Sequence, residues 1–125
     1  MVLSQKLLRL EKIANKLGYQ IVPGKDNTLI PAEKTITINM RQKLIKRVWN
    51  TAHEIGHALT LTRCMNEVGM RALTGAPYEW PCLESELRAW HEADKLMRRL
   101  SVYSNEYLRY KHSCIRSYYC LLKQN

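Results

Sequence analysis

The segment from His53 to His57, His-Glu-Ile-Gly-His, constrains the fold and the chemistry of this chain more than any other stretch. Residues four apart lie on one face of an α-helix, so a helix here directs both histidines toward a single point. Two imidazoles placed in this way can bind one tetrahedral Zn²⁺. Glu54 lies to the side of the pair, where a general base for a zinc-bound water belongs. The pattern therefore predicts a zinc site that hydrolyses a carbonyl compound, most often a peptide, with Glu54 activating the water.

The residues around this motif favour a buried helix. Apolar residues recur at helical spacing and form a stripe: Val48, Ala52, Ile55 and Leu59. Gly56 costs roughly 1 kcal/mol relative to alanine inside a helix, so it predicts close approach by another segment. Histidines and a glutamate beside such a stripe need partners if they are buried. The alternative is a solvated helix whose histidines have no metal.

A catalytic zinc needs a third protein ligand. The metzincin extension is absent, since positions 60 and 63 hold threonine and arginine. The candidates follow Pro81: Cys82, Glu84, Glu86, His91, Glu92 and Asp94. Glu86 shares a helical face with the apolar residues that should meet the HExxH helix, whereas Glu84 shares a polar face with Arg88. An acidic residue at the start of a helix also has a structural reason in the helix dipole. We predict that Glu86 is the ligand, and Glu84 remains the main alternative.

The first forty residues predict a helix followed by a small sheet, and hence an α+β fold. Ser4 can cap a first helix that ends near Leu17, before Gly18. Short extended segments follow at 19–22, 28–30 and 35–39, and Pro23-Gly24 should end the first of them. These segments predict a twisted sheet of two or three strands.

Three further helices are predicted after the sheet. Asn39 and Gln42 resemble a capping box and should start the HExxH helix, which runs to about Cys64. Residues 66–80 are expected to be irregular, and Tyr78 within them could stabilise an oxyanion, a role that His91 could also fill.

The last two helices have different compositions. Pro81 suits the first turn of a ligand helix over about 83–100. A tyrosine-rich helix over about 104–122 follows, after a break or new cap at Ser101 or Ser104. Its tyrosines are expected to pack internally or to face a partner.

Three stretches together resemble the ImmA/IrrE family of small zincins, which occur widely in phages and mobile elements. They are Ile36-Thr37-Ile38-Asn39, the helix from Trp49 to Leu59, and Glu84-Ser85-Glu86-Leu87-Arg88-Ala89-Trp90. The resemblance covers about residues 1–100. It implies a minimal zincin-like fold and a zinc peptidase with a glutamate ligand. Family members are often paired with a repressor-type DNA-binding protein that they cleave, so a repressor or another phage or host protein is the implied substrate.

The chain departs from the family downstream of HExxH, where the usual pattern is Glu-x-Glu-Ala-Asn-x-Phe-Ala with the first glutamate as ligand. Aligned on Glu84, the pattern has Leu87 and Arg88 in place of the alanine and asparagine. Aligned on Glu86, it gains Ala89 but has Trp90 in place of the asparagine.

Composition predicts one soluble domain over residues 1–125. Cys64, Cys82, Cys114 and Cys120 form no CxxC pair, so free thiols are expected rather than disulfides. No apolar run reaches the length of a membrane span, and the N-terminus lacks the pattern of a signal peptide. We therefore expect a cytoplasmic protein without membrane contacts, in the host cytoplasm if a phage encodes it.

The net charge of +9 is concentrated at the two ends of the chain. Residues 1–50 contain ten basic and three acidic side chains, whereas residues 51–100 contain six and seven. A basic surface can attract nucleic acid or remain a solvated face. The predicted function is a zinc metallo-endopeptidase. The alternatives are a zincin-fold binding or structural protein without turnover, such as a phage component, and a DNA-associated protease that uses its basic N-terminal half.

Overall fold

Four α-helices and a small sheet make up the described part of the chain, which confirms the predicted α+β class. The computed structural model describes the backbone of residues 2–73 and 79–123 and the side chains of residues 2–61 and 84–118. The helices are α1 (Leu3–Lys16), α2 (Leu44–Leu73), α3 (Glu79–Arg99) and α4 (Asn105–Lys123). The strands are β1 (Gln20–Gly24), β2 (Thr28–Ile30) and β3 (Thr35–Asn39), and a 3-10 turn at Pro31–Glu33 precedes β3.

Helix α1 covers one side of the core. Its buried residues are Leu7, Leu10 and Ala14. The helix ends before Gly18, whose φ of 90° is the left-handed conformation that glycine adopts without a steric penalty. The predicted cap at Ser4 is wrong, because the helix already begins at Leu3. Instead, the backbone N–H of Val2 donates a hydrogen bond to Oε1 of Gln5 at 3.1 Å.

The sheet has the order β1-β3-β2, with β1 parallel and β2 antiparallel to the central strand β3. Residues of β3 alternate in burial, and Ile36 and Ile38 are almost inaccessible to solvent. These two isoleucines belong to the same hydrophobic core as the buried faces of α1 and α2.

The prediction that Pro23-Gly24 ends the first strand is wrong, since both residues belong to β1 and pair with Ile38 and Asn39. Strand β1 is an edge strand, where a proline need not donate to a neighbour on both sides. A Cβ atom at Gly24 would lie 2.7 Å from Cβ of Thr37. Glycine is therefore required here because β1 and β3 pack closely, and not because the chain turns.

The predicted capping box at the start of the HExxH helix is also wrong, since α2 begins only at Leu44. Oδ1 of Asn39 accepts a hydrogen bond from the backbone two residues later, at 2.9 Å. The side chain of Gln42 links the sheet to the helix: its Nε2 donates to Asn27 at 2.9 Å and its Oε1 accepts from Asn50 at 3.2 Å. These amides connect the end of the sheet to the first turns of α2.

Helix α2 continues to Leu73 and α3 begins at Glu79, so the predicted helix end near Cys64 and the irregular stretch at 66–80 are wrong in extent. The helical turns beyond Cys64 contain one glycine. Its cost of about 1 kcal/mol is small relative to the summed helix propensity of the residues around it. Residues 74–78 lie outside the described part. Pro81 occupies the first turn of α3, as predicted.

Helix α3 packs its apolar face against α2, as the sequence pattern predicts. The buried residues on this face are Ala89, Trp90, Ala93, Leu96, Met97 and Leu100. Helix α4 begins after Ser104, whose Oγ accepts a hydrogen bond from the backbone N–H of Tyr107 at 3.1 Å. Ser104 is therefore the cap.

Among the described helices, we find none that is both long and apolar enough to cross a bilayer.

Candidate metal centre

Two adjacent helices bring three potential metal ligands together. Helix α2 presents His53 and His57 one turn apart, with ring centroids separated by 4.7 Å. Helix α3 presents Glu86 opposite them. Nε2 of His53 lies 3.0 Å from Oε2 of Glu86, and Nε2 of His57 lies 2.9 Å from Oε1. Each carboxylate oxygen thus faces one imidazole.

Gly56 and Ala89 allow the two helices to approach closely at this point. A Cβ atom built on Gly56 would overlap the carbonyl oxygen of Ala89 and lie 2.9 Å from its carbonyl carbon. This contact confirms the close approach predicted from the cost of glycine inside a helix. Because Gly56 precedes His57 and Ala89 lies one turn after Glu86, the contact sets the separation of the ligands.

We expect Gly56→Ala to lower the free energy of unfolding by about 3 kcal/mol, at the upper end of the usual overpacking cost, because the obstacle is rigid backbone. Urea denaturation measures this change. The control is Gly18→Ala, where no atom lies within 4 Å of the added methyl group and only the positive φ is strained. That strain should cost roughly 1–2 kcal/mol and leave the site intact. Wild-type stability in Gly56→Ala would show that the helices do not meet there.

The chemistry and spacing of the three side chains fit a zinc ion. Two imidazole nitrogens and one carboxylate oxygen form a ligand set typical of catalytic zinc. Ligand atoms about 2.0–2.1 Å from a tetrahedral zinc lie roughly 3.3 Å from one another, close to the two contact distances observed here. The ligand atoms of His53, His57 and Glu86 all lie within 4.8 Å of one another, and the group could hold a metal ion.

Without a metal, burial and the hydrogen bonds among these three side chains together determine their pKa values. Burial raises the pKa of Glu86, but its hydrogen bonds with the two histidines outweigh this effect and lower the pKa to about 2. Burial lowers the pKa of His53, and its hydrogen bond with Glu86 offsets this only in part. For His57 burial also lowers the pKa, yet the hydrogen bond and charge of Glu86 raise it overall. Glu86 is therefore an anion that attracts positive charge.

Glu54 lies beside the three candidate ligands and is nearly buried, with 5 % of its surface exposed. Its Oε1 is 3.6 Å from Nδ1 of His53, the ring nitrogen that faces away from Glu86. Burial raises the pKa of Glu54 to about 7, although the positive charge at His57 acts in the opposite direction. A carboxylate in this environment exchanges a proton near neutral pH, as a general base requires.

Two further side chains of α3, neither of them among the predicted site residues, also contact the histidines. The indole of Trp90 stacks on the imidazole of His53, with centroids 4.1 Å apart and the ring planes 9° apart. Oγ of Ser85 lies 3.5 Å from Nδ1 of His57. The helical spacing of Ser85, Glu86 and Trp90 places all three toward α2, but spacing alone does not reveal which ring each one meets.

The structure places the other candidates outside the cluster formed by His53, His57 and Glu86. Glu84 forms an ion pair with Arg88, and 38 % of its side chain is exposed. His91 is exposed on α3. Glu92 pairs with Lys95, and Asp94 accepts hydrogen bonds from Tyr107 and Lys111. The side chains of Cys82 and Tyr78 lie outside the described residues.

The fold and the site together define a small α+β chain with a candidate metal centre of two histidines and one glutamate. In comparisons with known proteins, no protein-family model, curated protein or solved structure matches the chain.

Proposed function

We propose that this chain is a zinc-dependent metallo-endopeptidase with a minimal zincin-like fold similar to that of the ImmA/IrrE proteins. One observation carries the proposal. The two histidines of HExxH face both oxygens of a single carboxylate from α3, while the glutamate of the same motif lies buried beside them. A structural helix has no need for this combination, because each buried polar group costs free energy unless it is paired.

Each residue of the site has a distinct task in the proposed reaction. His53, His57 and Glu86 would hold the zinc. Bound zinc supplies Lewis acidity, which favours ionisation of water and polarises the substrate carbonyl. Glu54 accepts a proton from the attacking water and returns it to the amine that leaves when the peptide bond breaks. Its buried position keeps the carboxylate close to the residues that would hold the zinc, 3.6 Å from Nδ1 of His53.

The proposed substrate is a protein, and the resemblance to ImmA/IrrE proteins suggests a repressor or another phage or host protein. The order of elements supports this likeness: an N-terminal helix, a small sheet, the HExxH helix and then the helix with the acidic ligand.

We expect peptide hydrolysis to depend strictly on the metal. The chain is incubated with a proteome-derived peptide library, and new N-termini are identified by mass spectrometry. They should appear with zinc-loaded protein, disappear after chelation and return when zinc is added. His57→Ala, prepared in the same way, is the matched control and should produce none. A zinc-loaded chain that generates no new termini, or termini that persist after chelation, would contradict the proposal.

A further inference from the structure

Trp90 is placed to control the orientation of one proposed zinc ligand. Its indole lies almost parallel to the imidazole of His53, with centroids 4.1 Å apart and ring planes 9° apart. Only 2 % of Trp90 is exposed, so the indole has little freedom to move. When two rings stack in this way, the imidazole can slide parallel to the indole, but the indole prevents the imidazole from tilting out of its own plane.

The two histidines are supported in different ways. A metal-binding histidine is usually oriented by a hydrogen bond from its other ring nitrogen. For His57, Oγ of Ser85 lies 3.5 Å from Nδ1. For His53, the corresponding contact is with Glu54 at 3.6 Å, longer than a hydrogen bond, and Glu54 is needed elsewhere in the proposed reaction. Among the described side chains, the stack on Trp90 is therefore the contact best placed to orient the His53 ring.

The tyrosine-rich helix α4 holds Trp90 from behind. The rings of Tyr107 and Tyr110 lie 6.2 Å and 6.3 Å from the Trp90 ring, within the range of aromatic packing. The hydroxyl of Tyr107 donates to Asp94 on α3 at 2.7 Å. The hydroxyl of Tyr110 donates to Asn50 on α2 at 3.0 Å. Each tyrosine is thus anchored to one of the two helices that carry the site.

We propose that Trp90 is a positioning residue that holds the His53 imidazole in the orientation for metal binding, supported by Tyr107 and Tyr110 of α4. This inference rests on the proposed zinc site and gives the C-terminal helix a role in it.

The test uses Trp90→Leu, which removes the stack, and Trp90→Phe, which keeps a smaller aromatic ring. The matched control is Trp49→Leu, because the described ring contacts of Trp49 are with Tyr107 and Tyr110 of the same cluster. Zinc affinity is measured by competition with a chelating dye. In the metal-free full-length chain, NMR records the shift of the His53 ring protons, which the indole face moves upfield.

Trp90→Leu should weaken zinc binding about tenfold or more, as expected when the support of a ligand is lost. It should also abolish the upfield shift. Trp90→Phe should lose less affinity, and Trp49→Leu should retain both the affinity and the shift. If Trp90→Leu does not fold, the same comparison is made between Trp90→Phe and Trp49→Phe, and only the former should change affinity and shift.

The outcomes separate this inference from the proposed function. Wild-type affinity in Trp90→Leu, with the upfield shift lost, would overturn the positioning role alone. An equal loss of affinity in the Trp49 variant would also overturn it, because the cause would then be general loosening of the aromatic cluster. A wild-type chain that binds no zinc would overturn the proposed function, and the positioning role with it.

Discussion

Glu86→Ala should weaken zinc binding by more than the roughly 10- to 100-fold that follows from altering a residue that only supports a ligand. The reason is that the carboxylate of Glu86 faces both histidines, at 2.9 and 3.0 Å. Without it, two imidazoles on one helix would be left to hold the ion. Elemental analysis should find one zinc per wild-type chain, and competition with a chelating dye gives the affinities.

The control for this prediction is Glu84→Ala, two residues earlier on the same helix. Glu84 is more than a third exposed and pairs with Arg88, and such surface pairs contribute little to stability. Its loss should therefore leave both the fold and the zinc affinity close to wild type. If Glu84→Ala lost zinc and Glu86→Ala kept it, the alignment of the family pattern on Glu84 would be correct and the site as described would be wrong.

Much of the arrangement of the site follows from helical periodicity. His53 and His57 are four residues apart, so they lie on the same face of the helix as soon as the segment is helical. The distinction between Glu86 and Glu84 depends on which glutamate shares the apolar face of α3, and that face packs against α2 as predicted. Gly56 marks a point where α3 approaches α2 closely, because glycine inside a helix has no local advantage.

Other features depend on contacts between segments far apart in the chain, which no local pattern encodes. Gln42 looks like a capping residue, yet its amide is used by Asn27 and Asn50. Pro23 looks like a strand breaker, but β1 lies at the edge of the sheet, where proline is tolerated. The stack of Trp90 on His53 likewise requires the register between α2 and α3.

Glu54→Gln should reduce peptide hydrolysis by at least ~10²-fold, the lower end of the contribution of general acid–base catalysis. Glutamine has nearly the size of glutamate, so the buried position should still be filled. Its amide accepts no proton at neutral pH, so the proposed base is lost while the three ligands remain. The matched control is Glu92→Gln, which alters another buried glutamate that pairs with Lys95 on α3. That variant should hydrolyse peptides at close to the wild-type rate.

The most direct test of the central claim compares zinc-loaded wild type with zinc-loaded Glu54→Gln on one cleavage site identified in the peptide library. Zinc content and cleavage rate are measured on the same samples. We predict equal zinc in the two proteins and a rate at least ~10²-fold lower in the variant. Cleavage by Glu54→Gln at the wild-type rate, with equal zinc, would contradict the account, because the chain would then hold the metal without using Glu54 to move a proton.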